Sequence, residues 1–119
     1  SMTKEIFPNC EYYGLDVTED YNIDDNDRRV MKQFFLVDEA GGGYERVPDG
    51  FFDVVLMHHV IEHMPNPNET LATILYKLGE RGIIWIAFPS EKSLSLPSAD
   101  IGTLNFSDDE SHVYIPSMN

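Results

Sequence analysis

Apolar residues fall along this chain in short runs, separated by polar or glycine-rich stretches. Glu11 to Val17 (EYYGLDV) is aromatic and β-branched and ends on an acid, the composition of a strand. Thr18 to Asp27 is polar and acidic, a loop or a weak helix start, and Arg28 to Gln33 has room for one or two helical turns. Gln33 to Val37 (QFFLV) is a second strand, closed by Asp38 and Glu39. Ala40 to Gly50 holds four glycines and Pro48 and reads as a loop. Phe51 to Met57 (FFDVVLM) is almost continuously apolar, which predicts a strand covered on both faces in a parallel sheet. Asn68 is a candidate helix cap. Leu71, Ile74, Leu75 and Leu78 then recur at helical spacing, predicting an amphipathic helix from about Glu69 to Leu78 that ends at Gly79 to Gly82. Ile83 to Phe88 (IIWIAF) is a further strand, stopped by Pro89. Beyond Ser90 the pattern weakens to a long loop with room for a helical turn.

Strands alternating with a helix predict an α/β fold with mostly parallel pairing. In such sheets ligands bind outside the carboxyl ends of the strands. The positions to interrogate are therefore Asp16, Asp38, Met57 to Glu62, and Pro89 to Ser90.

Composition narrows the function. The 119 residues suit one domain, and 42% are apolar, enough for a core. The net charge is −13, from 21 acidic and 8 basic side chains. Such a surface repels phosphate backbones and anionic membranes, so neither nucleic acid nor a membrane is an expected partner. A single cysteine, Cys10, fits a reducing, cytoplasmic setting. No apolar run reaches the length of a membrane span.

Read by itself, Asp16 is either a turn residue or a carboxylate placed to accept two hydrogen bonds from vicinal ribose hydroxyls. Asp38 is either a turn-former or an acceptor for an adenine amino group. His59-Val60-Ile61-Glu62-His63 has the H-x-x-E-H form of an inverted zinc motif. Zinc binding would need both histidines on one helix face, and Pro65 leaves no length for that helix, so no metal is expected. Glu39, Gly41 and Gly43 fall at E-x-G-x-G spacing, but Phe51 begins the next strand too soon for a nucleotide cradle, and the triple glycine reads as a flexible loop.

The ordered set of these motifs resembles the class I S-adenosylmethionine-dependent methyltransferases, of the small-molecule, type 11-like group. Pro48-Asp49-Gly50-Phe51-Phe52-Asp53-Val54-Val55, then Val60-Ile61-Glu62-His63 and Pro65, is similar to the family's fourth-strand motif and the loop after it. Tyr13-Gly14-Leu15-Asp16 resembles its second strand, Val37-Asp38 its third, Gly82 to Phe88 its fifth, and His112-Val113 after Asp108-Asp109 a segment beyond the fifth. The resemblance covers roughly residues 11 to 116 and implies a partial Rossmann-like, doubly wound, mostly parallel sheet of about four strands with flanking helices. It implies S-adenosyl-L-methionine as cofactor and a small-molecule acceptor. Asp16, with Val17 beside it, would hold the ribose; Asp38 and Glu39 would sit near the adenine; Met57 and His58 would line the methionine and sulfonium side, mostly through backbone groups. His59, Glu62 and His63 would lie on the loop against the substrate cleft, some of them as caps. If a general base is used, His59 is the first candidate and His112 the second.

The resemblance leaves out the family's first strand, its Gly-rich loop and its last two strands. The expectation is a single, truncated domain over residues 1–119 that by itself binds the cofactor weakly or not at all. The alternative is a non-catalytic binding or scaffold domain, with a homodimer covering exposed edges.

Overall fold

The computed structural model describes residues 2–20 and 23–96. Residues 97–119, His112 among them, lie outside the described part. The architecture is mixed α/β, a partial Rossmann-like arrangement in which both strand pairs are parallel. The chain divides into two compact units, 1–48 and 49–119.

In the first unit a short helix, α1 (Met2–Ile6), precedes β1 (Tyr12–Asp16), α2 (Asp25–Val30) and β2 (Met31–Leu36). The acidic stretch before α2 supplies its start. The Asp24 carboxylate accepts from the Asp27 N–H at 2.8 Å, and Asp27 accepts in return from the Asp24 N–H at 3.3 Å. This reciprocal box satisfies two of the amide donors that a helix start leaves unpaired. It places the helix three residues earlier than the spacing alone predicts. Strand β1 pairs in parallel with β2, Asp16 opposite Leu36, and the Val37 N–H donates to the Asp16 carbonyl at 3.0 Å. Tyr13 stacks on Phe35 at 6.3 Å between ring centres, and Phe35, Val37, Tyr44 and Val47 are buried.

In the second unit β3 (Phe52–His58) pairs in parallel with β4 (Leu78–Ala87), joined through α3 (Pro67–Lys77). Helix α3 starts at Pro67, two residues before its predicted first residue, Glu69, and its cap is Asn66 rather than Asn68. Pro67 occupies the first turn after Asn66, where a fixed φ suits the helix and no N–H is needed. At its other end the Gly50 and Phe51 N–H groups donate to the Tyr76 and Lys77 carbonyls, both at 2.9 Å, so the segment leading into β3 satisfies the last turn. Lys77 also reaches the Asp49 carboxylate at 2.7 Å.

Two expectations are corrected here. Gly79 to Gly82 do not separate helix from strand; β4 begins at Leu78, and the glycine stretch lies in a register shift, since Phe52 pairs with Leu78 but Val54 with Ile83. Nor is β3 covered on both faces. Met57 is buried, as are Ile61 and Ile74, but Val54 and Leu56 are exposed beside Ile83 and Trp85. Among the described residues α3 is the helix that packs against β4, and one helix can cover only one face of a two-stranded ribbon.

The triple glycine is a loop, but where a flexible one was expected it is tied to Asp38 by three hydrogen bonds. Gly43 has φ +93°, and a Cβ there would lie 2.6 Å from the Leu36 carbonyl oxygen. Gly41 has φ +96° with open space around it. Both positions impose the left-handed cost of ~1–2 kcal/mol on a residue with a Cβ, and only Gly43 adds a backbone clash, so Gly43→Ala should lower stability by more than Gly41→Ala. Thermal or urea unfolding of the two variants checks the difference.

Candidate functional site

At the carboxyl end of the first parallel pair, pairing brings Asp16 and Val17 beside Val37 and Asp38. Asp16 is half-buried. Its Oδ1 accepts from the Val17 N–H at 2.6 Å, while Oδ2 makes no hydrogen bond among the described residues. Asp38 is committed to the loop that follows. Its Oδ1 accepts from the Gly42 N–H at 2.7 Å, its own N–H donates to the Gly42 carbonyl at 2.9 Å, and its carbonyl accepts from Gly41 at 3.1 Å. Glu39 is exposed next to it. Beyond the glycines, burial pushes the Tyr44 phenol above its ordinary pKa. At the opposite end of the pair, the Lys32 ammonium 2.8 Å from Glu11 holds that carboxyl below its ordinary range, an exposed pair of small energetic weight. A depression of about 300 Å³, lined by Glu19, Arg28, Met31, Lys32 and Phe34, lies along the start of β2 and does not include Asp16, Asp38 or Glu39.

At the carboxyl end of the second pair the chain turns sharply. The His59 N–H continues the ladder, donating to the Ala87 carbonyl at 2.9 Å. His59 itself sits at φ +52°, the one described non-glycine residue in the left-handed region. The chain then closes into a single 3₁₀ turn, Ile61–His63, which buries Ile61 and Glu62. Glu62 is 0% exposed. Its Oε1 lies 2.9 Å from His59 Nδ1, and its Oε2 has no partner. The His59 ring remains 51% exposed. Its neighbour His58 lies parallel to Trp85 at 6.1 Å and edge-on to His59 at 4.5 Å. Met57 is only 3% exposed, so any part it plays at this rim is through its backbone.

The sequence-predicted residues thus collect in two groups, Asp16, Val17, Asp38 and Glu39 in one unit and Met57, His58 and His59 in the other. His112 lies outside the described residues. No helix carries both His59 and His63, and no group of three or more metal-binding side chains occurs among the described residues.

A family model described as a methyltransferase domain matches residues 2–114. The chain belongs to that family, among the class I methyltransferases. No curated protein gives a match. No helix among the described residues is long and apolar enough to cross a membrane.

In this methyltransferase domain each parallel pair presents a different chemistry at its carboxyl end. The first offers a carboxylate oxygen for hydroxyl or amine donors. The second offers an imidazole edge backed by a buried carboxylate. Sequence reasoning placed Glu62 on the loop without seeing what it does. The signal was the three-residue spacing of His59 and Glu62, which one tight turn converts into a side-chain contact.

Because His59 adopts a left-handed backbone, the turn should discriminate among replacements. His59→Asn, whose short side chain tolerates this conformation, should be less destabilising than His59→Val by ~1–2 kcal/mol. Equal melting temperatures for the two variants would show that the turn does not hold this backbone.

Proposed function

We propose that the chain transfers a methyl group from S-adenosylmethionine to a small-molecule acceptor. The observation that supports this best is Asp16. It ends a parallel strand, is half-buried, and among the described residues keeps Oδ2 without a partner. That is the arrangement needed to accept hydrogen bonds from ribose hydroxyls, and it fits the nucleoside half of the cofactor. Asp38 contributes by shape, since its carboxylate fixes the Gly41 to Gly43 loop, leaving exposed Glu39 as the polar group toward the adenine.

When bound, the cofactor supplies an electrophilic methyl group on a sulfonium with a good leaving group, so positioning carries much of the rate. The chain's own carboxylate at Asp16 holds the nucleoside, and His59 is the first candidate for a general base. The net charge of −13 favours a small acceptor over a nucleic acid.

Calorimetric titration with S-adenosylhomocysteine tests the proposal. Weak, saturable binding is expected for these 119 residues. Asp16→Ala should weaken it by ~1–3 kcal/mol, the scale of a charge-assisted hydrogen bond. An unchanged affinity would remove Asp16 from the site, and the absence of any binding heat at millimolar ligand would remove the cofactor from this chain.

A further inference from the structure

Among the described residues Glu62 is the buried charged-type side chain, and the reading above gives it no role. It is fully buried, it is three residues from His59, and it places Oε1 2.9 Å from the imidazole Nδ1. We propose that Glu62 is a positioning residue that holds His59 with its proton on Nδ1, so that Nε2 presents a lone pair outward as the base for an acceptor hydroxyl. The inference rests on the proposed methyl transfer for its reaction and on geometry for its residues.

The chemistry of the contact and the packing of the ring agree. An ionised carboxylate has only acceptor sites, so its hydrogen bond to the ring requires a proton on Nδ1. The other nitrogen, Nε2, is then the basic one, which is how an imidazole's second bond fixes its tautomer. The ring cannot easily leave this position. The His59 backbone is turned at φ +52°, its main-chain amide N–H donates to the Ala87 carbonyl, and the His58 ring packs edge-on against the His59 ring at 4.5 Å. Half of the ring surface nevertheless remains open to an acceptor. The opposite assignment would have a protonated Glu62 donating to Nδ1, which would place the ring proton on Nε2 and remove the base.

An acceptor that must lose a proton as it is methylated is the class this arrangement serves. A hydroxyl is such an acceptor, whereas a carboxylate is already an anion. The hydroxyl oxygen forms the new C–O bond as the bond from methyl carbon to sulfur breaks. The hydroxyl proton passes to His59 Nε2, leaving a neutral thioether and an imidazolium.

The test needs neither cofactor nor acceptor, so its failure is distinct from failure of the calorimetric titration. Long-range ¹H–¹⁵N spectra of the whole chain at a pH well above the ordinary imidazole pKa of ~6.5 report which nitrogen of His59 bears the proton. The expected result is a protonated Nδ1 and a bare Nε2; a proton on Nε2 in the unmodified protein overturns the proposal. Glu62→Leu should move the proton to Nε2, the form a free imidazole prefers, and retention of the Nδ1 proton in a folded variant removes Glu62 from the role. A second reading comes from acylation by diethyl pyrocarbonate, which attacks the unprotonated ring nitrogen. His59 should react several-fold faster in the unmodified chain than in Glu62→Gln, and equal rates count against the proposal. Where Glu62→Leu does not fold, the tautomer of the unmodified protein and the acylation rates decide.

Discussion

Parallel pairing is the constraint on which the rest of this structure depends. Two strands can run side by side in the same direction only if the chain between them travels back along their full length. In the first unit α2 and the polar segment before it make that return, and in the second the Ile61–His63 turn and α3 do so. The consequence is positional. Residues distant in sequence arrive together at the carboxyl end of each pair, Asp16 beside Val37 and Asp38, and His58 and His59 beside Ala87. The same constraint explains why the strand ends are crowded with loop bonds. A chain leaving a parallel strand must turn at once, and Asp38 with the glycines and His59 with Glu62 are two solutions to that turn.

The strands and their order were legible because each is a short apolar run bounded by acids, glycines or prolines. β1 and β3 fall within a residue or two of their predicted bounds, and β2 starts two residues early. What the pattern could not show was set by contacts outside the local window. Asp24 and Asp27 look like solvated acids until their reciprocal bonds make them a helix start. Gly79 to Gly82 look like a helix stop, yet lie in a strand that accommodates extra residues opposite β3. An apolar run such as Phe51 to Met57 is equally consistent with one covered face or two. Only the placement of α3 decides, and it leaves Val54, Leu56, Ile83 and Trp85 exposed.

The candidate residues were legible to a similar degree. Asp16 and Asp38 were found because they end strands, but the sequence could not say that one keeps a carboxylate oxygen without a partner while the other spends its carboxylate on a turn. His59 was found as an imidazole after a strand. Its relation to Glu62 was hidden because three-residue spacing is common to helices, turns and metal motifs, and only the backbone at His59 selects among them.

That backbone bears on what the corner is for. Two departures from local rules fall within four residues: a histidine at positive φ, and a wholly buried carboxylate with one oxygen unmatched. Each opposes folding. The left-handed conformation costs roughly 1–2 kcal/mol for a residue with a Cβ, and a buried acceptor without a partner costs ~1–3 kcal/mol. A glycine at the turn and an apolar residue in the pocket would remove both penalties. Such departures persist where surrounding structure holds them in place, and they collect at functional sites. Here each is tied to the other, since the turn that strains His59 is also what brings its ring onto Glu62. The strain and the buried carboxyl group are therefore one arrangement, and what it yields is an imidazole held on one edge and open on the other.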